Sequence, residues 1–239
     1  MFFKLSILIP CYNEAAFVTE TIRKVLDTKL AHSLEKEVII VDDGSTDNSI
    51  EMIRTFLLNQ SYPVTILQNK RNEGKGISIM KALQQVTGDI VIIQDADLEY
   101  DPADYTKMLL PILNGHADVV YGSRFIGDGP HRNMFYFHSL GNKFLTSLSN
   151  LFTQINLTDM ETGFKMFRTD ILRQIKIKEK RFGFEPEVTA KISRVKGVRI
   201  YEVGISYFGR TYEQGKKINW MDGFRALWCI LKYNILSRS

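Results

Sequence analysis

Cysteine is scarce: Cys11 and Cys229 are the only two in 239 residues, far apart and without metal-ligand spacing. A disulfide framework and a thiolate metal site are therefore disfavoured, and a reduced, cytoplasmic compartment is the simplest expectation. The four histidines form no metal motif. No run reaches the roughly 18–20 apolar residues that span a bilayer, and the opening Met1–Leu5 carries no cleavage signature. Any membrane contact is expected to be peripheral or through a membrane-embedded partner. Nucleotide motifs of the common kinds are missing too. No G-x-G-x-x-G follows the first apolar run, which disfavours a dinucleotide redox enzyme, and there is no P-loop spacing and no G-x-S-x-G elbow. A large charge excess is likewise absent. The net charge of +4 suits an anionic ligand or an acidic membrane surface. It is small and comes with no recognition motif, so nucleic acid is not an expected partner.

What is present reads as an ordinary folded chain, 44% apolar and 24% charged, enough for one large domain or one with an appendage. Short β-branched runs recur at Leu5–Ile9, Val38–Val41, Val64–Leu67, Ile90–Ile93 and Val119–Tyr121. Such continuous runs are typical of strands buried on both faces of a parallel sheet. Helical patterns follow Glu14, Asp47, Lys75 and Pro102, with Ser45, Thr46 and Asp47 as candidate N-caps. The alternation predicts an α/β fold, a mostly parallel sheet flanked by helices. The second half predicts a helix over residues 135–155, another over Glu185–Val195, a strand over Val198–Ile205 and an amphipathic C-terminal helix striped by Trp220, Phe224, Leu227, Trp228, Leu231 and Ile235.

In open α/β sheets, ligands bind outside the carboxyl ends of the strands. The segments there are Pro10-Cys11-Tyr12-Asn13-Glu14, Asp42-Asp43-Gly44-Ser45, Gln94-Asp95-Ala96-Asp97-Leu98-Glu99 and Gly122-Ser123-Arg124. In an extended chain Asp95, Asp97 and Glu99 point the same way. Three carboxylates facing one point call for a cation, and hard divalent ions such as Mg²⁺ take oxygen ligands. A solvated acidic turn ahead of the Pro102 helix is the plainer alternative. Of Asp42 and Asp43, one is expected to cap the turn and the other, with Asp42 favoured, to accept hydrogen bonds from a nucleobase or ribose. Asn72-Glu73-Gly74-Lys75-Gly76 opens a helix whose amides suit a phosphate reinforced by Lys75; a plain glycine-hinged loop fits the spacing equally well.

Taken in order, these segments and Thr162-Gly163-Phe164-Lys165-Met166-Phe167 resemble the inverting glycosyltransferases of GT-A (Rossmann-like) fold, closest to the dolichol-phosphate mannosyltransferase and dolichyl-phosphate glucosyltransferase group. The resemblance covers roughly residues 4 to 210. It implies a catalytic domain over 1–212 and a helical appendage over 213–239. Pro10, Tyr12, Glu14 and Asp42 would form the nucleotide-binding set, with Lys75 beside them. Asp95 and Asp97 would position the nucleotide and a Mg²⁺ or Mn²⁺ ion. Glu99 would be a further ligand where related mannosyltransferases often carry Gln. Arg124 would meet phosphate, and Arg210 and Lys216 would contact the diphosphate or acceptor phosphate.

The implied reaction moves a hexose from a UDP- or GDP-sugar to a polyprenyl (dolichyl or undecaprenyl) phosphate, at the cytoplasmic face of a membrane. An anionic phosphate needs no strong base, only cations such as Arg124, Arg132 and Lys165. A glycan hydroxyl would instead need a carboxylate base, with Asp159 or Glu161 as candidates. The stripe from Phe135 to Phe152, beside Arg132, His138 and Lys143, is expected either to dock on a bilayer or to pack against the sheet; the tail stripe, with Arg225, Lys232 and Arg238, has the same two readings. A nucleotide-sugar-binding regulator without activity is disfavoured by the intact acidic set.

Overall fold

The computed structural model describes residues 4–30, 34–127, 130, 132, 135–181, 183–210 and 220–237. Seven strands form one sheet: β1 (Lys4–Cys11), β2 (Glu35–Asp42), β3 (Val64–Gln68), β4 (Ile90–Ile93), β5 (Val119–Ser123), β6 (Lys165–Arg168) and β7 (Ile200–Gly204), in the order β3-β2-β1-β4-β6-β5-β7. The pairs β3–β2, β2–β1, β1–β4 and β5–β7 are parallel, and β6 runs antiparallel between β4 and β5. Six strands therefore point one way and only β6 the other.

The β-branched runs are buried on both faces because the period of two sends alternate side chains to opposite sides. Leu5, Ile7, Ile9, Val38, Ile40, Ile90 and Ile92 meet α1 (Val18–Asp27), α2 (Ser49–Leu57) and α4 (Tyr105–Leu113). Leu8, Ile39, Val41, Val91 and Ile93 meet α3 (Lys75–Gln85) and α7 (Phe184–Ile192) on the other side. Each fully buried Ile, Leu or Val of these layers contributes about 1.5–3 kcal/mol. The short helix α6 (Thr169–Leu172) follows β6 directly. All five strands expected in the first half occur. The N-cap of α2 is Asn48 rather than Ser45, Thr46 or Asp47. Asp47 instead accepts from the amides of Ser49 and Ala15 at 3.0 and 3.1 Å, tying the β2–α2 turn to the β1–α1 turn.

Helix α5 (Tyr136–Thr153) is inside out. Its buried residues are Thr146 and Ser149, while Tyr136, Phe137, Leu140, Phe144 and Leu151 are exposed. Leu145 and Leu148 are the half-buried apolar side chains it lends to the core. Helix α8 (Trp220–Leu231) packs on α5 and α7; it buries Ala226, Cys229 and Ile230 and exposes Met221, Phe224 and Trp228. Among the described residues, no helix is long and apolar enough to cross a membrane. The expected boundary between a body ending at 212 and an appendage beginning at 213 lies outside the described residues.

Candidate active site

Because six strands share a direction, the segments after β1, β2, β3, β4 and β5 gather at one edge of the sheet. The reversed strand β6 adds what no carboxyl-end rule anticipates: its lead-in, residues 157–164, arrives at that same edge. Gly163 lies so close to the Asp95 Oδ2 and the Lys75 Nζ that a Cβ would collide with the carboxylate. Its amide donates to the Tyr100 hydroxyl at 2.9 Å, and Phe164 stacks on the Tyr100 ring with centroids 5.1 Å apart.

The acidic run is not extended. Residues 96 and 97 form a turn and Leu98 is left-handed (φ 63°), so the every-second-residue alternation of an extended chain does not hold across Asp95, Asp97 and Glu99. The three-ligand expectation was argued from extended geometry, which this turn replaces. Among the described residues, no three His, Cys, Asp or Glu side chains are grouped as a metal site. Each carboxylate has its own partner. Asp95 pairs with Lys75 Nζ at 2.8 Å. Asp97 pairs with Arg210 Nη2 at 3.1 Å and accepts from the Glu99 amide. Glu99 accepts from the Tyr207 hydroxyl at 2.9 Å and the Arg210 amide at 2.8 Å. Burial first, then the charges of Glu99 and Asp95, push the Asp97 carboxyl up to about 7 against the pull of Arg210.

The donor set tests which residues fit a divalent ion. One or two carboxylates suffice when substrate phosphates complete the shell. Asp97, crowded by like charge that a cation would relieve, fits that role, and Asp95 lies beside it in the turn. Glu99 is engaged much as those two are: its oxygens accept from the 207–210 segment, whose Phe208 amide also bonds the Glu99 carbonyl.

Arg210 stands among the acids. Its Nη1 and Nη2 bond Glu14 at 2.8 and 3.2 Å, its guanidinium lies over the Phe17 ring at 5.2 Å, and its buried Nε has no hydrogen-bond partner. Pro10 and Tyr12 are half-buried along the same edge. Asp43 is the carboxylate spent on structure: it accepts from the amides of Glu73 and Gly74 at 2.9 and 2.7 Å and from Asn69 at 2.6 Å. Asp42, fully buried, keeps Oδ1 without a partner, while Oδ2 takes long bonds from Ser45 and Gln68.

The N-terminus of α3 differs from expectation. The Gly76 amide donates to the Lys180 carbonyl at 2.9 Å, and Lys75 reaches Asp95 and Glu185. The amide and the lysine are thus engaged with protein groups in this structure.

Arg124, after β5, is partly buried, its side chain 10% exposed, and bound to Asp159 by three donors: its amide at 3.1 Å, Nε at 2.6 Å and Nη2 at 2.7 Å. Its guanidinium also lies over the Tyr207 ring at 5.3 Å. Asp159 further accepts from Asn142 at 3.1 Å. Burial opposes its charge, but the Arg124 guanidinium outweighs that and holds the carboxyl below its usual range. Glu161 is the opposite case. Burial, then the charge of Glu185, push its carboxyl up to about 8, and its Oε1 has no partner. Lys165 is fully buried and donates to the carbonyls of Met160 and Thr162, so it braces the lead-in to β6 and is not available for steering an anion. Arg132 donates to the Gly209 carbonyl. Lys216 lies outside the described residues.

Sequence reasoning missed Asn142, Tyr100 and Glu185 as parts of this site. Asn142, Thr146 and Asn150 recur at a four-residue interval inside an aromatic stripe, a signal that was available. Glu185 sits within a helix and carries none.

The profile of glycosyl transferase family 2 matches residues 6–176. The chain is 26% identical over 233 residues to the dolichol-phosphate mannosyltransferase of Pyrococcus furiosus, an alignment covering 96% of this chain and 64% of that protein. The chain thus spans less than two thirds of that relative. It is 27% identical over 241 residues to the UDP-N-acetylglucosamine–dolichyl-phosphate N-acetylglucosaminyltransferase of Methanococcus voltae, covering 94% of each. Glucosyl-3-phosphoglycerate synthase from Mycobacterium tuberculosis, solved with Mn²⁺, UDP-glucose and glycerol 3-phosphate, superposes with a TM-score of 0.73 at 16% identity over 97% of this chain and 80% of that one. The shared architecture is the GT-A fold.

Proposed function

The chain belongs to glycosyl transferase family 2, and from that premise we propose that it moves a hexose from a nucleoside-diphosphate sugar to a polyprenyl phosphate at a membrane surface, inverting the anomeric carbon. The acceptor half rests on the Arg124–Asp159 pair. A planar guanidinium locked through Nε and Nη2 is pre-oriented, so little rotamer freedom is lost when it meets a phosphate. The same pair removes Asp159 from service as a base, since Arg124 and Asn142 occupy both its oxygens. Glu161, its carboxyl pushed up to about 8 by burial and then by the charge of Glu185, is the carboxylate that a hydroxyl acceptor would have to use as base. A phosphate monoester, with a second pKa of about 6, brings its own anionic nucleophile.

The bond changes balance without a proton acceptor. An acceptor phosphate oxygen forms a bond to the anomeric carbon as the bond from that carbon to the donor diphosphate breaks on the opposite face. The electron pair leaves on the diphosphate, and Arg210 is the described cation best placed to meet that charge. Asp97 and Asp95 would hold a Mg²⁺ or Mn²⁺ ion, which supplies further charge neutralisation for the diphosphate when bound. Asp42 Oδ1, buried and without a partner, suits a donor N–H or O–H of the base or ribose. The exposed aromatic faces of α5 and α8 support a bilayer surface as the place of work.

Varying the acceptor at fixed donor tests this reading. Polyprenyl monophosphate should be glycosylated, while the matching polyprenol, which ends in a hydroxyl, should not. Glycosylation of the polyprenol or of a glycan hydroxyl, with the phosphate untouched, would sink it.

A further inference from the structure

Helix α5 presents two unlike faces. Outward it shows Tyr136, Phe137, Leu140, Phe144 and Leu151 to solvent. Inward it carries Asn142, Thr146 and Asn150, one turn apart, and all three are bound to the lead-in of β6. Asn150 makes a two-way contact with Leu157, donating to its carbonyl at 2.7 Å and accepting from its amide at 3.1 Å. Thr146 accepts from the Met160 amide and donates to the Asn142 carbonyl oxygen, each at 3.1 Å. Asn142, its oxygen thus fixed, donates Nδ2 to Asp159 Oδ1, the oxygen that also receives Arg124 Nη2.

A packed helix of an α/β domain normally turns its apolar stripe to the sheet. Here amides and a hydroxyl take that place. Buried polar side chains are retained at a cost unless each is satisfied, and these three are satisfied by one short segment. Glu202 of β7 holds the same segment from the other side, accepting from the amides of Thr158 and Asp159. Asp159 is therefore fixed by a helix and a strand independently of the arginine it orients.

We infer that Asn142, with Thr146 behind it, is a positioning residue for the acceptor: the inner stripe of α5 sets the Asp159–Arg124 pair, so the helix that meets the lipid surface also fixes the guanidinium that receives the lipid's phosphate. This rests on the polyprenyl-phosphate reading and adds to it a residue and a geometric reason. A helix lying in the interface holds its outer side chains at headgroup depth. Fixing Arg124 to that helix keeps the phosphate-binding fork at a constant height above the same plane.

The test uses the full chain with two acceptors, a long polyprenyl phosphate in vesicles and a short, water-soluble prenyl phosphate. Asn142→Leu and the near-isosteric Thr146→Val are compared with Phe144→Glu on the outer face, and thermal midpoints are recorded for all. With the soluble acceptor, Asn142→Leu and Thr146→Val should raise the acceptor KM about tenfold, in the range of ordinary coupling between linked groups. The donor KM should hold, and Asn142→Gln should recover part of the loss. Phe144→Glu should match wild type with the soluble acceptor and lose activity only on vesicles. The inference falls if Asn142→Leu or Thr146→Val, still folded, leaves the acceptor KM unchanged. It falls equally if the donor KM rises in step, which would make the stripe merely structural. If wild type modifies neither prenyl phosphate, the polyprenyl-phosphate reading falls and this inference falls with it.

Discussion

At the scale of single residues, the site depends on a few buried charges whose partners are specified one by one. Asp159→Asn should be costly twice over. It leaves the Arg124 guanidinium buried without its carboxylate, a change worth about 3–5 kcal/mol of stability. It also frees the fork to turn, which should lower kcat/KM by roughly 100-fold, as small misplacements of a reacting group do. Denaturant titration and steady-state kinetics read the two effects separately. Gly163→Ala should act on the donor side, because the new methyl would meet the Asp95 carboxylate and Lys75. Its signature should be a nucleotide affinity lowered by about tenfold or more, measured by calorimetry, with acceptor binding spared. Much of this was readable in advance: Asp42, Asp95, Asp97 and Arg124 stand at strand ends where the fold gathers ligands. The orientation of Glu99 was not, since the chain passes through a left-handed residue, Leu98, and the carboxylate meets Tyr207. A pattern of every second residue carries no information about such a turn.

At the scale of elements, the strands of the first half were legible because β-branched runs buried on both faces have no other common explanation. Strand β6 was hidden by its own sequence. Lys165-Met166-Phe167-Arg168 begins and ends in charge, and only the tertiary structure shows Lys165 braced by two carbonyls beneath the sheet edge. Helix α5 was legible as a helix and not as an inside-out one, since periodicity gives a stripe without saying which way it faces. Phe137→Glu combined with Trp228→Glu should weaken co-sedimentation with anionic vesicles by about tenfold or more, yet leave unfolding within about 0.5 kcal/mol, as exposed substitutions do. Helix α8 and the π-helical turn that follows it (Lys232–Leu236) are tied down by Glu179, which receives Arg225, Lys232 and Tyr233 at 2.5, 2.8 and 2.8 Å. Burial opposes the charge on Glu179, but the bonds from Lys232, Arg225 and Tyr233 outweigh it and lower the carboxyl from 4.5 to about 2. A depressed carboxyl stabilises the fold above its unfolded value and loses that contribution as pH falls through the folded one. Wild type should therefore lose stability between pH 4.5 and 2. Glu179→Gln should be weaker at neutral pH and flatter over that interval, as followed by thermal melts across a pH series.

At the scale of the whole molecule, one sheet edge brings together the groups proposed for donor and acceptor, and two helices on one side of the sheet expose aromatic faces. The order of the motifs along the chain was enough to suggest this plan, because each sits at the end of a strand. The arrangement of the 157–164 lead-in was beyond reach, because it depends on β6 running backward between β4 and β5. Removing divalent metal should abolish transfer, and restoring Mg²⁺ or Mn²⁺ should return it. The most direct measurement is of the product itself. The full chain is incubated with isotope-labelled nucleotide sugar, divalent metal and polyprenyl phosphate in vesicles, and the lipid extract is resolved by NMR. The label should appear in a sugar joined through its anomeric carbon to the lipid phosphate, with configuration opposite to that in the donor. Retained configuration, or label on a hydroxyl with the lipid phosphate unmodified, would contradict the account.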